Sequence, residues 1–481
     1  SPVNQFARLH TGVAVVPNGN TTFDIDVRAT TVAGTITING AALAGEDAVS
    51  LSLRNAAGDI VTIASNSRGS YAVRMVPGTF DLFLSASVAG VGSATPMNQR
   101  ARLERDVVIT AHTTSLDVDV PSAEISGTIA IGGIPAGPTN RGSAYLRNSD
   151  GDMVRIAVAH SPAYTARVVP GTYDLYFTGN GDAYSVANQN VRLRTGVVVA
   201  STGPTALDIN VPSAAVTGSL RLDSAPPAAM DSAHLVLRNA AGDYAPIPWN
   251  SDGQYSVNVV PGTYDLLYSK DNTVATTTPA NQLAKLRAGV VVAPTGTTVL
   301  DIDVTSTIVM GTVKINGASA DAGNAGIVTL RSADGDRVLI ANVARATFFA
   351  RVVPGTYDLY YTRTATLTNT TTIAPANHAA KLRSGLVLLP GATTEFDIDI
   401  PSTTVSGAIT INGTAAGAGD HGTLMLQSAA GDFASFASTT GGSYTAHLIP
   451  GTYDLYYSHA GKIGDTTPMN TRIKLRCFRV P

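Results

Sequence analysis

The stretch Arg351-Val352-Val353-Pro354-Gly355-Thr356-Tyr357-Asp358-Leu359-Tyr360-Tyr361 constrains this chain more than any other, because it returns at 75–84, 168–177, 259–268 and 448–457. Each copy reads as a strand, a tight Pro-Gly turn and a return strand. Proline fixes φ for the turn, glycine accepts a positive φ, and Thr-Tyr-Asp-Leu-Tyr alternates with period two. The prolines stand at 77, 170, 261, 354 and 450, about 93 residues apart. A repeat of that length is a domain in itself and buries roughly two-thirds of its unfolded surface. The expected fold is therefore all-β, a tandem array of five antiparallel β-sandwich modules.

The repeat also sets the divisions of the chain. Residues 1–27 match the tail of each later repeat and form a candidate donor segment of terminal strands. The modules then run 28–120, 121–211, 212–304, 305–400 and 401–481. The fourth serves as the example, with strands expected at 309–315, 327–331, 338–343, 347–353, 357–362, 380–389 and 393–400. Tyr357, Leu359 and Tyr361 fall on the core face, and Asp358 and Tyr360 point away. The junctions, such as Val120-Pro121-Ser122 and Ile400-Pro401-Ser402, are short and stiff, which predicts a semi-rigid rod.

The chain ends at the point of the repeat where it begins, so the fifth module is expected to lack its last strand, and residues 1–27 contain a copy of that strand. The predicted partner is thus another copy of the chain, joined head to tail by β-strand addition. The subunit-interface candidates are Val13, Val15, Phe23, Ile25 and Val27 on the donor side, and Ile473, Leu475, Cys477 and Phe478 on the acceptor side. Both 1–15 and 467–481 encode the strand after a repeated Asn, so one copy has to be displaced, remodelled or used as linker. Cys477-Phe478-Arg479, where Ala-Gly-Val or Ser-Gly-Leu is usual, marks the C-terminal copy as the altered one.

Composition narrows the function. Charged residues are 14% of the chain, the net charge is -3 and the pI is near 6.2, which gives no reason to expect nucleic acid. No apolar run approaches the ~20 residues of a membrane span. A single cysteine excludes a disulfide within the chain. The Thr-, Ala-, Gly- and Asn-rich surface, with no lysine before Lys270, suits an exported bacterial protein, located outside the cell or on its surface.

The Gly-Thr-Ile opening strand, Leu-Arg-Asn-Ala-Ala-Gly-Asp at 53–59 and 237–243, and Val-Val-Pro-Gly-Thr-Tyr-Asp-Leu together resemble the carboxypeptidase regulatory-like domain. That resemblance implies a transthyretin-like β-sandwich, similar to the B-type repeats of collagen adhesins, and a role as stalk, spacer, adhesive unit or enzyme appendage. Some such repeats carry Lys–Asn isopeptide bonds, which the lysine-free first two modules exclude for themselves.

No constellation reads as catalytic, and no cofactor or metal is expected. Asp150-Gly151-Asp152 and Asp334-Gly335-Asp336 are read as hairpin turns, since two carboxylates fall short of a calcium shell. The Asn at 4, 98, 188, 281, 377 and 470 is read as a turn or capping residue bonded to its own backbone. The Asp at 81, 174, 265, 358 and 454 is expected to pair across strands with an Arg. The glycosylation-like triplets at Asn20, Asn369 and Asn412 are compatible with chance. The second functional reading is a cell-surface adhesin or carbohydrate-binding stalk, whose partner would be a surface glycan or matrix ligand. Its aromatic candidates are Trp249, Tyr176 and Tyr360.

Overall fold

The computed structural model describes residues 1–11, 13, 24–86, 93–179, 185–227, 233–248, 252–270, 278–364, 373–459 and 471–480. Five units of paired sheets follow one another, each around its own apolar cluster. In the fourth, one sheet orders Arg337–Asn342, Gly326–Arg331, Gly355–Arg363 and Ala380–Leu388, all antiparallel. The facing sheet is built on the opening strand, Thr307–Ile315. One of its edges pairs antiparallel with Thr347–Val352, and the other pairs parallel with a closing strand in two pieces, Thr393–Glu395 and Ile398–Ile400. Val309, Val313, Leu330, Tyr361 and Ile400 are fully buried between the sheets. Tyr357 and Leu359 join them in the core, as the alternation predicts.

Two local readings change. The Pro-Gly element does not join two paired strands: Thr347–Val352 belongs to one sheet and Gly355–Arg363 to the other, so it is a corner between sheets. None of Gly78, Gly171, Gly262, Gly355 and Gly451 takes a positive φ. The small residue makes room for an aromatic ring instead, because a Cβ on Gly355 would stand 3.3 Å from the Tyr357 ring. The Tyr357 hydroxyl then clasps the corner by donating to the Val353 carbonyl at 2.8 Å. The parallel closing strand is the second departure. It follows from a sheet-to-sheet crossover, which periodicity along one strand cannot register.

The units are separately cored. A single compact globule of this mass would expose about 17,000 Å² and five independent fifths about 26,000 Å²; the chain exposes 23760 Å². That total lies nearer the value for five separate domains than the value for one globule, in keeping with the five separate cores.

Candidate assembly sites: the joints and the open edge

Each joint is organised by the repeated Asn. Asn98, Asn188, Asn281 and Asn377 are fully buried, and they bond to the next module rather than to their own backbone. Asn188 is representative. Its amide donates to Asp243 at 2.9 Å and to the Tyr264 hydroxyl at 3.0 Å, and its oxygen accepts the Val260 N–H at 2.7 Å. Asn377 repeats this with Asp432, Tyr453 and Ile449 at 2.6, 3.0 and 2.8 Å. Main-chain bonds flank the latch, as from the Ala187 N–H to the Asn258 carbonyl and from the Gln189 N–H to the Tyr244 carbonyl. The residue before each corner proline (Val169, Val260, Val353 and Ile449) packs into the core of the preceding module.

The Asn is thus structural, as expected, but its partners lie some 55 or 72 residues away. The aspartates at the second acidic position of the Asp-Gly-Asp turns, Asp152 and Asp336, are latch acceptors, a role the turn reading missed. The signal was present: the sister turns vary at the first Asp and keep the second at 59, 152, 243, 336 and 432. Burial pushes Asp243 and Asp432 up to about 6, and one carboxylate oxygen of each meets no donor at hydrogen-bond geometry.

The first module carries the same socket except for its tyrosine, which is Phe80, and the N-terminal segment fills it. Asn4 donates to Asp59 at 2.5 Å and accepts the Val76 N–H at 2.7 Å, with Val3 and Gln5 N–H groups bonded to Arg74 and Ile60 carbonyls. Asn4 therefore sits as the outgoing latch of a preceding module would.

At the other end, the fifth module has an open edge. Its opening strand, Thr403–Ala408 and Thr410–Ile411, pairs with Ser443–Leu448 and Thr414–Ala415, and no described residue pairs along the remaining edge. Val405 is only partly buried, whereas its counterparts Val32, Ile125, Val216 and Val309 are fully buried. Gly407 marks what the edge is shaped for. In the four closed modules a Cβ on Gly34, Gly127, Gly218 or Gly311 would lie 2.0–2.2 Å from the closing-strand carbonyl of Leu116, Leu207, Leu300 or Phe396. Only glycine admits so close a backbone. Gly407 retains the residue, yet among the described residues the atoms nearest to such a Cβ are those of the Tyr444 side chain, at 3.1 Å. Tyr164, at Tyr444's place in the second module, donates its hydroxyl to the closing-strand carbonyl at 2.6 Å.

The closing strands show which sequence fits. Asp397 accepts the Thr312 N–H at 3.1 Å, and Asp399 the Gly317 N–H at 2.9 Å. Ile398 and Ile400 are buried. Phe23-Asp24-Ile25-Asp26-Val27 has the same order of residues as Phe396-Asp397-Ile398-Asp399-Ile400. It also lies at the same distance from its Asn, with Phe23 nineteen positions after Asn4 and Phe396 nineteen after Asn377.

Of the interface candidates, Ile25 (63% exposed) and Val27 (45%) lie outside any strand, and Val13 is likewise exposed. Val15 and Phe23 fall outside the described residues. Ile473, Leu475, Cys477 and Phe478 share the strand Ile473–Val480, which pairs with Gly451–His459. Ile473 and Leu475 are exposed at 41% and 52%.

In the five modules the outward Asp pairs with the basic residue four positions after the Asn, an arginine as expected in the first two (Arg102 with Asp81, Arg192 with Asp174) and a lysine in the rest, as Lys381 with Asp358 at 2.7 Å and Lys474 with Asp454 at 2.8 Å. The adhesin candidates Tyr176 and Tyr360 have a ring face covered by Arg147 and Arg331, whose guanidinium carbons lie 4.6 and 4.2 Å from the ring centroids. Trp249 lies outside the described residues, as do Asn20 and Asn369.

No protein-family profile and no curated protein matches the chain. Among solved structures, it is similar to a streptococcal ancillary pilin (9% identity, 57% of this chain and 99% of that one, TM-score 0.19). It is also similar to the major pilin subunit of Bacillus cereus (14% identity, 57% and 99%, TM-score 0.16). A third similarity is to the Bacillus anthracis TIE protein (10% identity, 79% and 76%, TM-score 0.17).

Proposed function

We propose that this is a structural protein of the cell exterior, a jointed rod whose copies join head to tail by β-strand addition. In this reading residues 22–27 of one copy close the fifth module of another. Gly407 carries the proposal, a glycine kept for a backbone approach that the described residues of one chain do not make. The main-chain contacts of the closing strand have counterparts waiting, although Ala408 lacks the hydroxyl with which Thr35, Thr128, Ser219 and Thr312 also donate to the first aspartate. The Asp24 carboxylate meets the Ala408 N–H, Asp26 meets the Gly413 N–H, and Ile25 and Val27 enter the gap beside Val405 and Ile409. The chain's own segment is held at the far end by Asn4 on Asp59. The eighteen residues from Asn4 to Thr22 span at most ~60 Å, whereas an array of nine-residue strands spends ~30 Å on each module. The contact joins two different surfaces, so it propagates into an open filament.

Negative-stain electron microscopy of the full chain beside Gly407→Val tests this. Filaments from the first and single rods from the second are the expected result. Single rods from both would overturn strand-mediated assembly and leave the stalk or adhesin reading. Filaments from both would place the contact elsewhere.

A further inference from the structure

The fifth module already holds a strand, Ile473–Val480, in the place that residues 7–15 of a second copy would take if the incoming segment folded as in the other modules. We propose that Ile473–Val480 is a placeholder, displaced from Gly451–His459 when the second copy's segment arrives, so that assembly is a strand exchange. This rests on the strand-addition reading above and specifies its mechanism.

Three positions counted from the repeated Asn set the resident strand apart from its counterparts in the other modules. The eighth residue after it is Asp106, Gly196, Gly289 or Gly385 in the first four modules, each with φ between 55° and 67°. Its N–H donates to the outward Asp of the neighbouring strand, as from Gly385 to Asp358 at 3.0 Å. This left-handed residue makes a bulge, and the register there shifts twice, around Leu359 in the fourth module. Eight residues after Asn470 stands Phe478. A bulky side chain disfavours that backbone, and Ile473–Val480 omits the bulge: the register shifts once, and Phe478 lies opposite Tyr453. In the fourth module it is the ninth residue, Leu386, that lies opposite Tyr357. The resident strand therefore runs one residue short.

The third residue after the Asn is Ala101, Val191, Ala284 or Ala380, buried to 2–5% exposure. Ile473 holds that position and is 41% exposed. The eleventh is Ile109, Val199, Val292 or Leu388, at 2% exposure; in the resident segment it is Pro481, and Val480 takes the inner site one residue early. The N-terminal segment meets the pattern at every point, with Ala7 third, Gly12 eighth, Val13 ninth and Val15 eleventh after Asn4. Asn4 keeps its own socket meanwhile, as Asn377 keeps the fifth module's socket while Ala380–Leu388 completes the fourth. The joint between copies then reproduces a joint within one.

Hydrogen exchange of the full chain, monomeric and assembled, reads the displacement. On assembly the amides of 473–480 are expected to lose at least ~100-fold in protection while those of 453–457 keep theirs. Two variants follow the same logic. Ile473→Ala with Phe478→Gly repairs the resident strand and should slow assembly at least ~10-fold, and Gly12→Val should slow it likewise. Filaments in which 473–480 stays protected, forming at unchanged rates in both variants, would overturn the exchange and leave simple addition of 22–27. No assembly of the unmodified chain would remove the strand-addition reading itself, and the exchange with it.

Discussion

Replacing Asn281 by Ala tests the latch most locally. The side chain donates to Asp336 and, at 3.0 Å, to the Tyr357 hydroxyl, and it accepts the Val353 N–H at 2.7 Å. Asp336 keeps other donors, the Gln282 and Leu283 N–H groups at 3.1 and 2.9 Å, so alanine does not strand a bare charge. What is lost is one charge-assisted bond and the weaker one to the Tyr357 hydroxyl, and one buried N–H is left without its acceptor. Together these cost about 2–4 kcal/mol of joint stability. Because Val353 sits at the corner that the latch holds, its amide exchange should accelerate about 30- to 700-fold, while amides of Gly326–Arg331 in the module's interior hold. Hydrogen exchange resolved to the 353 amide makes the measurement. An acceleration below about threefold would show that the corner holds itself and that the Asn is the self-capping residue its sequence context suggests. A uniform acceleration through the fourth module would refute the joint as a separable element.

Three further outcomes are expected. Gly311→Val should cost the fourth module at least ~3 kcal/mol in thermal or denaturant unfolding, since its Cβ would lie 2.0 Å from the Phe396 carbonyl, while Gly407→Val should leave the unassembled fifth module within ~1 kcal/mol. Asp243 and Asp432 sit near 6 when folded against 3.8 when exposed, so the folded joint binds the proton more tightly; the joints should gain roughly 2–3 kcal/mol as pH falls from above 6 towards 4 and lose it again as pH rises, as read by pH-dependent unfolding, and Asp432→Asn should flatten that dependence at its joint. Lys381→Ala, which breaks a solvent-facing pair with Asp358, should change unfolding stability by no more than ~1 kcal/mol.

The fold was largely legible because its signals are local and repeated five times. Strands expected at 327–331 and 338–343 appear as Gly326–Arg331 and Arg337–Asn342, and the inward set of Tyr357, Leu359 and Tyr361 is the one buried. The corner was misread because Pro-Gly carries the same local chemistry whether the chain returns to its own sheet or crosses to the facing one. The parallel closing strand and the Asn latch were out of reach for a related reason. Both join residues more than fifty positions apart, and a hydrogen bond to a distant module leaves no periodicity. Asn98 and Asp152 each look like turn residues; only the repeat, by keeping both in every module, holds the hint that they serve each other. The anomaly at Cys477-Phe478-Arg479 was visible, but its physical content, a bulge that Phe478 cannot make, required the register of Gly385 against Asp358.

In the proposed filament, 22–27 of one copy lies parallel along Thr403–Ile411 of another. In the fourth module Met310 faces Glu395 across the equivalent parallel pair, which sets Ser406 against Thr22. With Cys477→Ser as background, one chain carrying Ser406→Cys is mixed with another carrying Thr22→Cys under mild oxidation, and the products are resolved on a denaturing gel. A covalent dimer is expected from the mixture, none when Ser406→Cys is paired with a cysteine at Asn20 on the other chain, and none from either chain alone. A mixture that stays monomeric while filaments form would contradict this arrangement, because the copies would then be joined by some other surface.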